Sequence, residues 1–140
     1  MTEAERPDAP STTDRDFQAV RDAKYVLLTT FKRDGTGVGT PVWAVPVETD
    51  RGTGIRIWTA RNTGKVKRIR NGSRVTVAPC SMRGVPTGAA VEAHAVLLDD
   101  DDTRGTLEAL AARYGMAGRL VTRRARRDVA DSAGIEVNAA

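Results

Sequence analysis

The sequence predicts a mainly β fold with short helices, arranged as a small β-barrel of about six antiparallel strands. Short runs of β-branched and aromatic residues alternate with turn signals along the chain, and helical patterns lie between and after these runs. Strands joined by hairpins leave unpaired edges unless the sheet closes on itself. We therefore expect a closed barrel.

One domain is expected in the 140 residues, because this length suffices for a single core. Residues 1–13 mix Pro, Ser, Thr and acids and predict a disordered tail, which leaves residues 14–140 as the domain. No apolar run approaches the roughly 20 residues of a membrane span, and the start of the chain lacks signal-peptide features. We predict a cytoplasmic protein that does not bind membranes.

The strands can be placed from their composition and from the turns that separate them. Five strands are predicted at residues 24–31, 38–48, 55–60, 74–80 and 89–98, and a sixth at residues 134–139. The first two flank the turn "KRDG" and should form a hairpin. Before them, Asp14 is expected to cap a helix over residues 15–23, in which Phe17 and Val20 share one face.

Three further helices follow from capping residues and from apolar spacing. One runs from Thr63 to Arg70, with Gly72 placed to end it. The four acids at residues 99–102 suit the first turn of a helix over residues 99–115, and we prefer this interpretation to a cation site. A basic helix over residues 116–128 contains the run Arg123 to Arg127, which is typical of a solvated face or, less commonly, of a nucleic-acid contact.

Few residues offer catalytic or metal chemistry. Cys80 and His94 are the single cysteine and the single histidine, so a typical zinc site is not expected. Cys80 is predicted to be a small core residue, and His94 should share the solvent face of its strand with Glu92. The glycines of "DGTGVGT" are followed by a strand, whereas a dinucleotide-binding turn requires a helix there. No catalytic residue is predicted.

The middle of the chain is strongly cationic. No Asp or Glu occurs from Arg51 to Val91, while nine cations lie in this window: Arg51, Arg56, Arg61, Lys65, Lys67, Arg68, Arg70, Arg74 and Arg83. Such a segment predicts an anionic partner.

The best candidate anion site is the start of the helix in "NTGKVKR". Thr63, Gly64 and Lys65 occupy its first turn, where free backbone N–H groups and the helix dipole favour an anion. Lys65 and Arg68 share one side and can add charged donors. From spacing alone a merely soluble helix is equally possible. The two tryptophans, Trp43 and Trp58, lie on the adjoining strands and favour a flat ligand, although Trp also fills cores.

Three motifs, "TPVW", "TGKVKRIRN" and "RVTVAPC", occur here in the order and spacing of a known family. From about Lys24 onward the chain resembles the deazaflavin-dependent branch of the pyridoxamine 5'-phosphate oxidase-like superfamily, found largely in actinobacteria. The resemblance implies a split β-barrel that forms a homodimer, with cofactor sites at the interface. It also implies coenzyme F-420, an 8-hydroxy-5-deazaflavin with a phosphate and an oligoglutamate tail; relatives use FMN or, more distantly, haem.

The resemblance assigns cofactor-binding roles to individual positions. Those implied are the phosphate-binding Lys65 with Thr63, Gly64 and Arg68, the ring-lining Thr40, Pro41, Val42 and Trp43, and Trp58 and Thr59 on the strand that leads to the phosphate. Gly37 and His94 depart from the family pattern, which weakens inference about the substrate. On this interpretation the cations face a phosphate and a polyanionic tail.

The implied function is hydride transfer to a small organic acceptor, with the cofactor supplying the chemistry. The sequence identifies neither the acceptor nor the proton donor. An FMN-binding oxidoreductase of the same fold is the first alternative. A small basic barrel that binds single-stranded nucleic acid is the second, although an aromatic content of 4% disfavours it.

Overall fold

The computed structural model describes residues 11–140, so the first ten residues of the predicted tail lie outside it. Its helices are Asp14–Asp22 (α1), Gly64–Asn71 (α2), Asp100–Arg113 (α3) and Gly115–Arg127 (α4). Its strands are Tyr25–Phe31 (β1), Gly37–Val42 (β2), Ala44–Thr49 (β3), Gly52–Ala60 (β4), Arg74–Cys80 (β5), Val91–Leu97 (β6) and Ser132–Ala139 (β7). The mainly β class with short helices is confirmed.

All seven strands form one antiparallel sheet in the order β2-β1-β5-β6-β7-β4-β3. The expected closure is wrong, because the edge strands β2 and β3 do not pair with each other. Pro41 in β2 and Pro46 in β3 lack the backbone N–H that a ladder needs, and such residues are tolerated at sheet edges. The barrel is therefore split between these two strands.

The predicted single strand over residues 38–48 is also wrong, because it breaks at Trp43. Val42 ends β2 opposite Val26 of β1, whereas Ala44 begins β3 opposite Ile57 of β4. One residue thus connects the two edges of the sheet. This break accounts for the seventh strand.

The main core lies on one face of the sheet, and the first two helices contribute to it. Phe17 and Val20 of α1 and Ile69 of α2 pack against buried valines and isoleucines of the strands. The cap of α1 differs from the prediction, because the Thr13 hydroxyl, and not Asp14, accepts the hydrogen bond from the Asp16 N–H. Ser11, which was placed in the tail, pairs with β6 through its backbone N–H and carbonyl.

Helix α3 packs on the opposite face of β4 and β7, and α4 packs mainly against α3. Gly134 allows α3 to approach closely, since a Cβ there would lie 2.8 Å from the hydroxyl of Thr103. Asp99 caps α3 and is followed by three acids, which confirms the helix-start interpretation of residues 99–102. A second apolar cluster forms beneath α3 and α4 from Leu107, Ala125 and Val129, with Trp58 packed against it.

The single histidine is exposed and the single cysteine is buried, as predicted. His94 is exposed while its neighbours Ala93 and Ala95 are buried, and Cys80 is buried at the end of β5. Burial raises the pKa of the Cys80 thiol. Within residues 11–140 no group of His, Cys, Asp and Glu side chains could hold a metal ion. No helix in the same range is long and apolar enough to cross a membrane.

Candidate functional site

Helix α2 has two distinct sides. Thr63 caps it by accepting from the Val66 N–H, and Gly72 follows its last residue, so the predicted start and end are confirmed. Val66 and Ile69 are buried in the protein. Lys65 is half-buried, whereas Lys67 is exposed. The helix therefore directs its two lysines into different environments.

A groove of about 430 Å³ lies beside α2. Seven of the residues predicted to bind a cofactor line it, namely Thr40, Pro41, Val42, Trp43, Trp58, Thr59 and Lys65. The structure thus brings together side chains from β2, its junction with β3, β4 and α2.

Five lining residues were not anticipated from the sequence, and these are Tyr25, Ala60, Met82, Leu110 and Val121. Most of them come from elements distant along the chain: β1, the β5–β6 loop, α3 and α4. No local motif marks them, because each meets the groove only through the packing of its element.

The remaining three predicted residues, Thr63, Gly64 and Arg68, do not line the groove. Arg68 instead donates from Nε to the hydroxyl of the buried Thr30 at 2.6 Å. The guanidinium also lies against Gly64, where a Cβ would come within 2.6 Å of Nη1. Arg68 therefore links α2 to β1.

Lys65 is the cation that faces the groove. Burial lowers the pKa of its amine, and the positive charge of Arg68 lowers it further. Within residues 11–140 no carboxylate lies within 4.0 Å of its Nζ. A bound anion would supply the compensation that residues 11–140 do not.

Four of the nine cations of the middle segment are already paired with carboxylates of the same chain. Arg51 and Arg56 contact Glu136 at 3.3 and 3.0 Å, Arg61 contacts Asp100, and Arg74 contacts Glu92. The prediction that the whole segment faces a bound anion is therefore wrong for these four. Their partners lie on β6, α3 and β7, and only the tertiary structure brings them close.

Glu136 is fully buried and is the centre of the largest of these ion-pair clusters. Burial alone would raise the pKa of its carboxyl, but hydrogen bonds from Thr49 and Arg56 outweigh this effect and hold the pKa below its usual range. The cluster joins β3, β4 and β7 on the side away from the main core. The cluster therefore has a structural role.

Aromatic side chains form much of the groove wall. The Trp43 indole stacks on the ring of Tyr114, with centroids 4.4 Å apart and planes inclined by 10°. Trp58 lies between the groove and the cluster beneath α3 and α4. Its Nε1 is buried and has no hydrogen-bond acceptor among the described residues. A buried indole N–H of this kind is commonly satisfied by an ordered water.

The groove is better equipped to bind than to exchange protons. Of its lining side chains, Tyr25 and Lys65 are the two with a phenol or an amine. His94 is on an exposed sheet face and does not line the groove. Tyr25, Lys65 and water are the proton sources available in this groove.

The open seven-stranded sheet with its groove beside α2 defines a split β-barrel protein. The family model for pyridoxamine 5'-phosphate oxidase matches residues 13–140, and the chain belongs to this family. No curated protein is similar enough in sequence to count as a relative.

Solved structures share the fold at low sequence identity. A conserved hypothetical protein of Mycobacterium tuberculosis is 16% identical with a TM-score of 0.63, over 96% of this chain and 84% of that one. The haem storage protein HutZ of Vibrio cholerae is 10% identical with a TM-score of 0.63, over 91% and 89%. A Clostridium acetobutylicum protein described as pyridoxinephosphate oxidase family is 13% identical with a TM-score of 0.58, over 87% and 79%.

Proposed function

We propose that this protein is a deazaflavin-dependent oxidoreductase that uses coenzyme F-420 to reduce or oxidise a small organic molecule. The observation that carries the proposal is the groove, which gathers an aromatic wall and one half-buried lysine without a carboxylate partner in the described part of the chain. The resemblance of "TPVW", "TGKVKRIRN" and "RVTVAPC" to the deazaflavin branch supports coenzyme F-420 as the cofactor.

The residues present fit such a cofactor. Lys65 would hold the phosphate, because its lowered pKa reflects a charge that an anion would stabilise. Pro41, Val42 and Trp43 would line the ring system, and the Trp58 side chain would add a further aromatic wall. When bound, the deazaflavin would supply transfer of a hydride, while the chain would supply orientation and exclusion of water.

A homodimer would complete the site. Met82 and Val121 line the groove yet are 67% and 55% exposed, so part of its wall is apolar and open to solvent. A second copy of the chain across this opening would bury these side chains and enclose the ring. We include this interface in the proposal.

FMN is the second candidate cofactor, and the family itself favours it. Members of the pyridoxamine 5'-phosphate oxidase family commonly bind flavins, and FMN would place its phosphate on the same lysine. The single histidine does not line the groove, so a haem there would have no imidazole ligand from the residues that line it.

Single-stranded nucleic acid is also disfavoured. Stacking proteins present open aromatic faces to the bases. Here one face of Trp43 is covered by Tyr114, and Trp58 is packed against the cluster beneath α3 and α4. Each tryptophan therefore offers a base at most the part of its ring that faces the groove.

A titration that compares four compounds tests the proposal. Coenzyme F-420, its riboflavin-like precursor without phosphate, FMN and riboflavin are each titrated into the protein, with tryptophan quenching and cofactor absorbance as readouts. We expect F-420 to bind most tightly and each phosphate-free compound to bind more weakly than its phosphorylated partner. Tighter binding of FMN than of F-420 would replace the first candidate by the second, and absence of binding by all four would refute both.

A further inference from the structure

Trp43 occupies an unusual position, because it is the single residue between strands at opposite edges of the sheet. Val42 is fixed by its ladder with β1, and Ala44 by its ladder with β4. Trp43 itself belongs to neither ladder. The sheet therefore brings its backbone to the groove but does not determine how its indole is held.

The end of α3 supplies that restraint. Tyr114, the residue that follows α3, stacks its ring on the indole at 4.4 Å. Its hydroxyl accepts from the Ala44 N–H at 3.2 Å, and it can donate its one proton to the carbonyl of Lys24 at 2.7 Å or of Ala44 at 3.0 Å. Arg113 adds a donor to the Ala44 carbonyl at 2.6 Å. The junction is thus fixed from outside the sheet.

Tyr114 does not itself line the groove. It lines a separate hollow on the other side of Trp43, and the two spaces share Tyr25 and Trp43 as their common wall. Burial raises the pKa of the Tyr114 phenol, so the hydroxyl keeps its proton and its donor role at neutral pH. Because Tyr114 does not line the groove, any effect of Tyr114 on a ligand there must pass through the shared wall of Tyr25 and Trp43.

We propose that Tyr114 is a positioning residue that holds the Trp43 indole as the groove wall and thereby sets the affinity of the groove for a flat ring. This inference deepens the proposed function and rests on it for the ligand. The stack and the hydroxyl contacts act on adjacent residues, so the ring of Tyr114 fixes the indole plane while the hydroxyl fixes the backbone beside it. Both contributions are separable by substitution.

The first test needs no ligand. Replacing Trp58 by Phe leaves Trp43 as the one tryptophan of the chain, so its fluorescence reports on the wall alone. In this background Tyr114→Leu should make Trp43 clearly more accessible to quenching by acrylamide, and Tyr114→Phe should have a smaller effect because the stack remains. Unchanged quenching in a folded Tyr114→Leu protein would overturn the proposal. If Tyr114→Leu does not fold, unchanged quenching in folded Tyr114→Phe protein would overturn the proposal instead.

The second test is a double-mutant cycle in otherwise wild-type protein, with F-420 and FMN as probes. Tyr114→Leu should raise the dissociation constant of the bound cofactor about three- to tenfold, the size expected for loss of an aromatic stack. In a Trp43→Leu background the same change should have less than a twofold effect, roughly the error of such measurements. An equal loss in both backgrounds would show that Tyr114 acts by another route, and would overturn the proposal.

Met116→Ala is the matched control, since Met116 lies two residues beyond Tyr114, is 85% exposed and does not line the groove. It should change neither quenching nor affinity, and equal effects of Met116→Ala and Tyr114→Leu would also overturn the proposal. If wild-type protein binds neither probe, the proposed function fails, and the quenching test alone decides whether Tyr114 holds Trp43.

Discussion

Replacing Lys65 by Ala should affect the affinity for the cofactor and the stability of the protein differently. The amine is half-buried beside Arg68 and has no carboxylate partner in the described range, so its charge destabilises the ligand-free protein. The packing of α2 is carried by Val66 and Ile69, which the substitution does not touch. We therefore expect Lys65→Ala to weaken cofactor binding without lowering the stability of the protein.

The magnitude of the binding loss follows from the contact that is removed. A hydrogen bond between a charged donor and a phosphate contributes roughly 1.5 to 3 kcal/mol, which corresponds to about a tenfold to hundredfold rise in dissociation constant. Fluorescence titration with F-420 measures this change. Lys67→Ala is the matched control, because Lys67 is exposed on another side of the same helix and does not line the groove. Its effect should be small.

The effect on stability has a defined dependence on pH. Because the folded-state pKa of Lys65 is lowered, the cost of its charge is fully present below that pKa and disappears as the pH rises past the ordinary pKa of lysine. Urea denaturation at neutral pH should find Lys65→Ala at least as stable as wild type, with the difference shrinking in alkali. A large loss of stability in Lys65→Ala would refute this reasoning. An affinity that falls in Lys67→Ala but not in Lys65→Ala would show that the wrong side of α2 has been assigned to the cofactor.

The other predictions concern the buried ion cluster and the assembly. Glu136→Gln should lower the free energy of unfolding by about 3 kcal/mol at neutral pH. This value is the lower end of the range for breaking a buried ion pair, and we choose it because Arg51 is 44% exposed. Because the pKa of Glu136 is lowered in the folded protein, its carboxylate stabilises the fold above the ordinary pKa of Glu, and this stabilisation is lost as the pH falls through the lowered pKa. The free energies of unfolding of the two proteins, measured in urea, should therefore converge in acid. A difference that stays constant with pH would contradict this. Light scattering should find a homodimer at micromolar concentration, and a monomer that still binds cofactor tightly would refute the proposed interface.

Elements with complete local signals could be predicted from the sequence. Helix α2 contains its own cap in Thr63, its apolar face in Val66 and Ile69 and its stop in Gly72, so nothing distant was needed to place it. The acids at residues 99–102 likewise marked the start of α3. Most predicted groove residues were implied by the resemblance of short contiguous motifs to those of a known family, and not by local physical signals.

Features that depend on distant partners could not be predicted. Arg51 and Arg56 looked available to an external anion because their carboxylate, Glu136, is 80 or more residues away along the chain. Trp43 looked like the middle of one strand because the β-rich pattern continues through it, and only the sheet order separates β2 from β3.

The sequence by itself determined the local elements and the cationic motif, because capping, turn formation and residue alternation act over a few neighbouring residues. The tertiary structure alone decided which cations remain without a carboxylate partner and which aromatic ring supports the groove wall. Packing selects these pairs by distance in space, and that distance is set by the order of strands across the sheet and by the packing of α3 on it. Lys65 faces the groove and Tyr114 holds Trp43 for this reason.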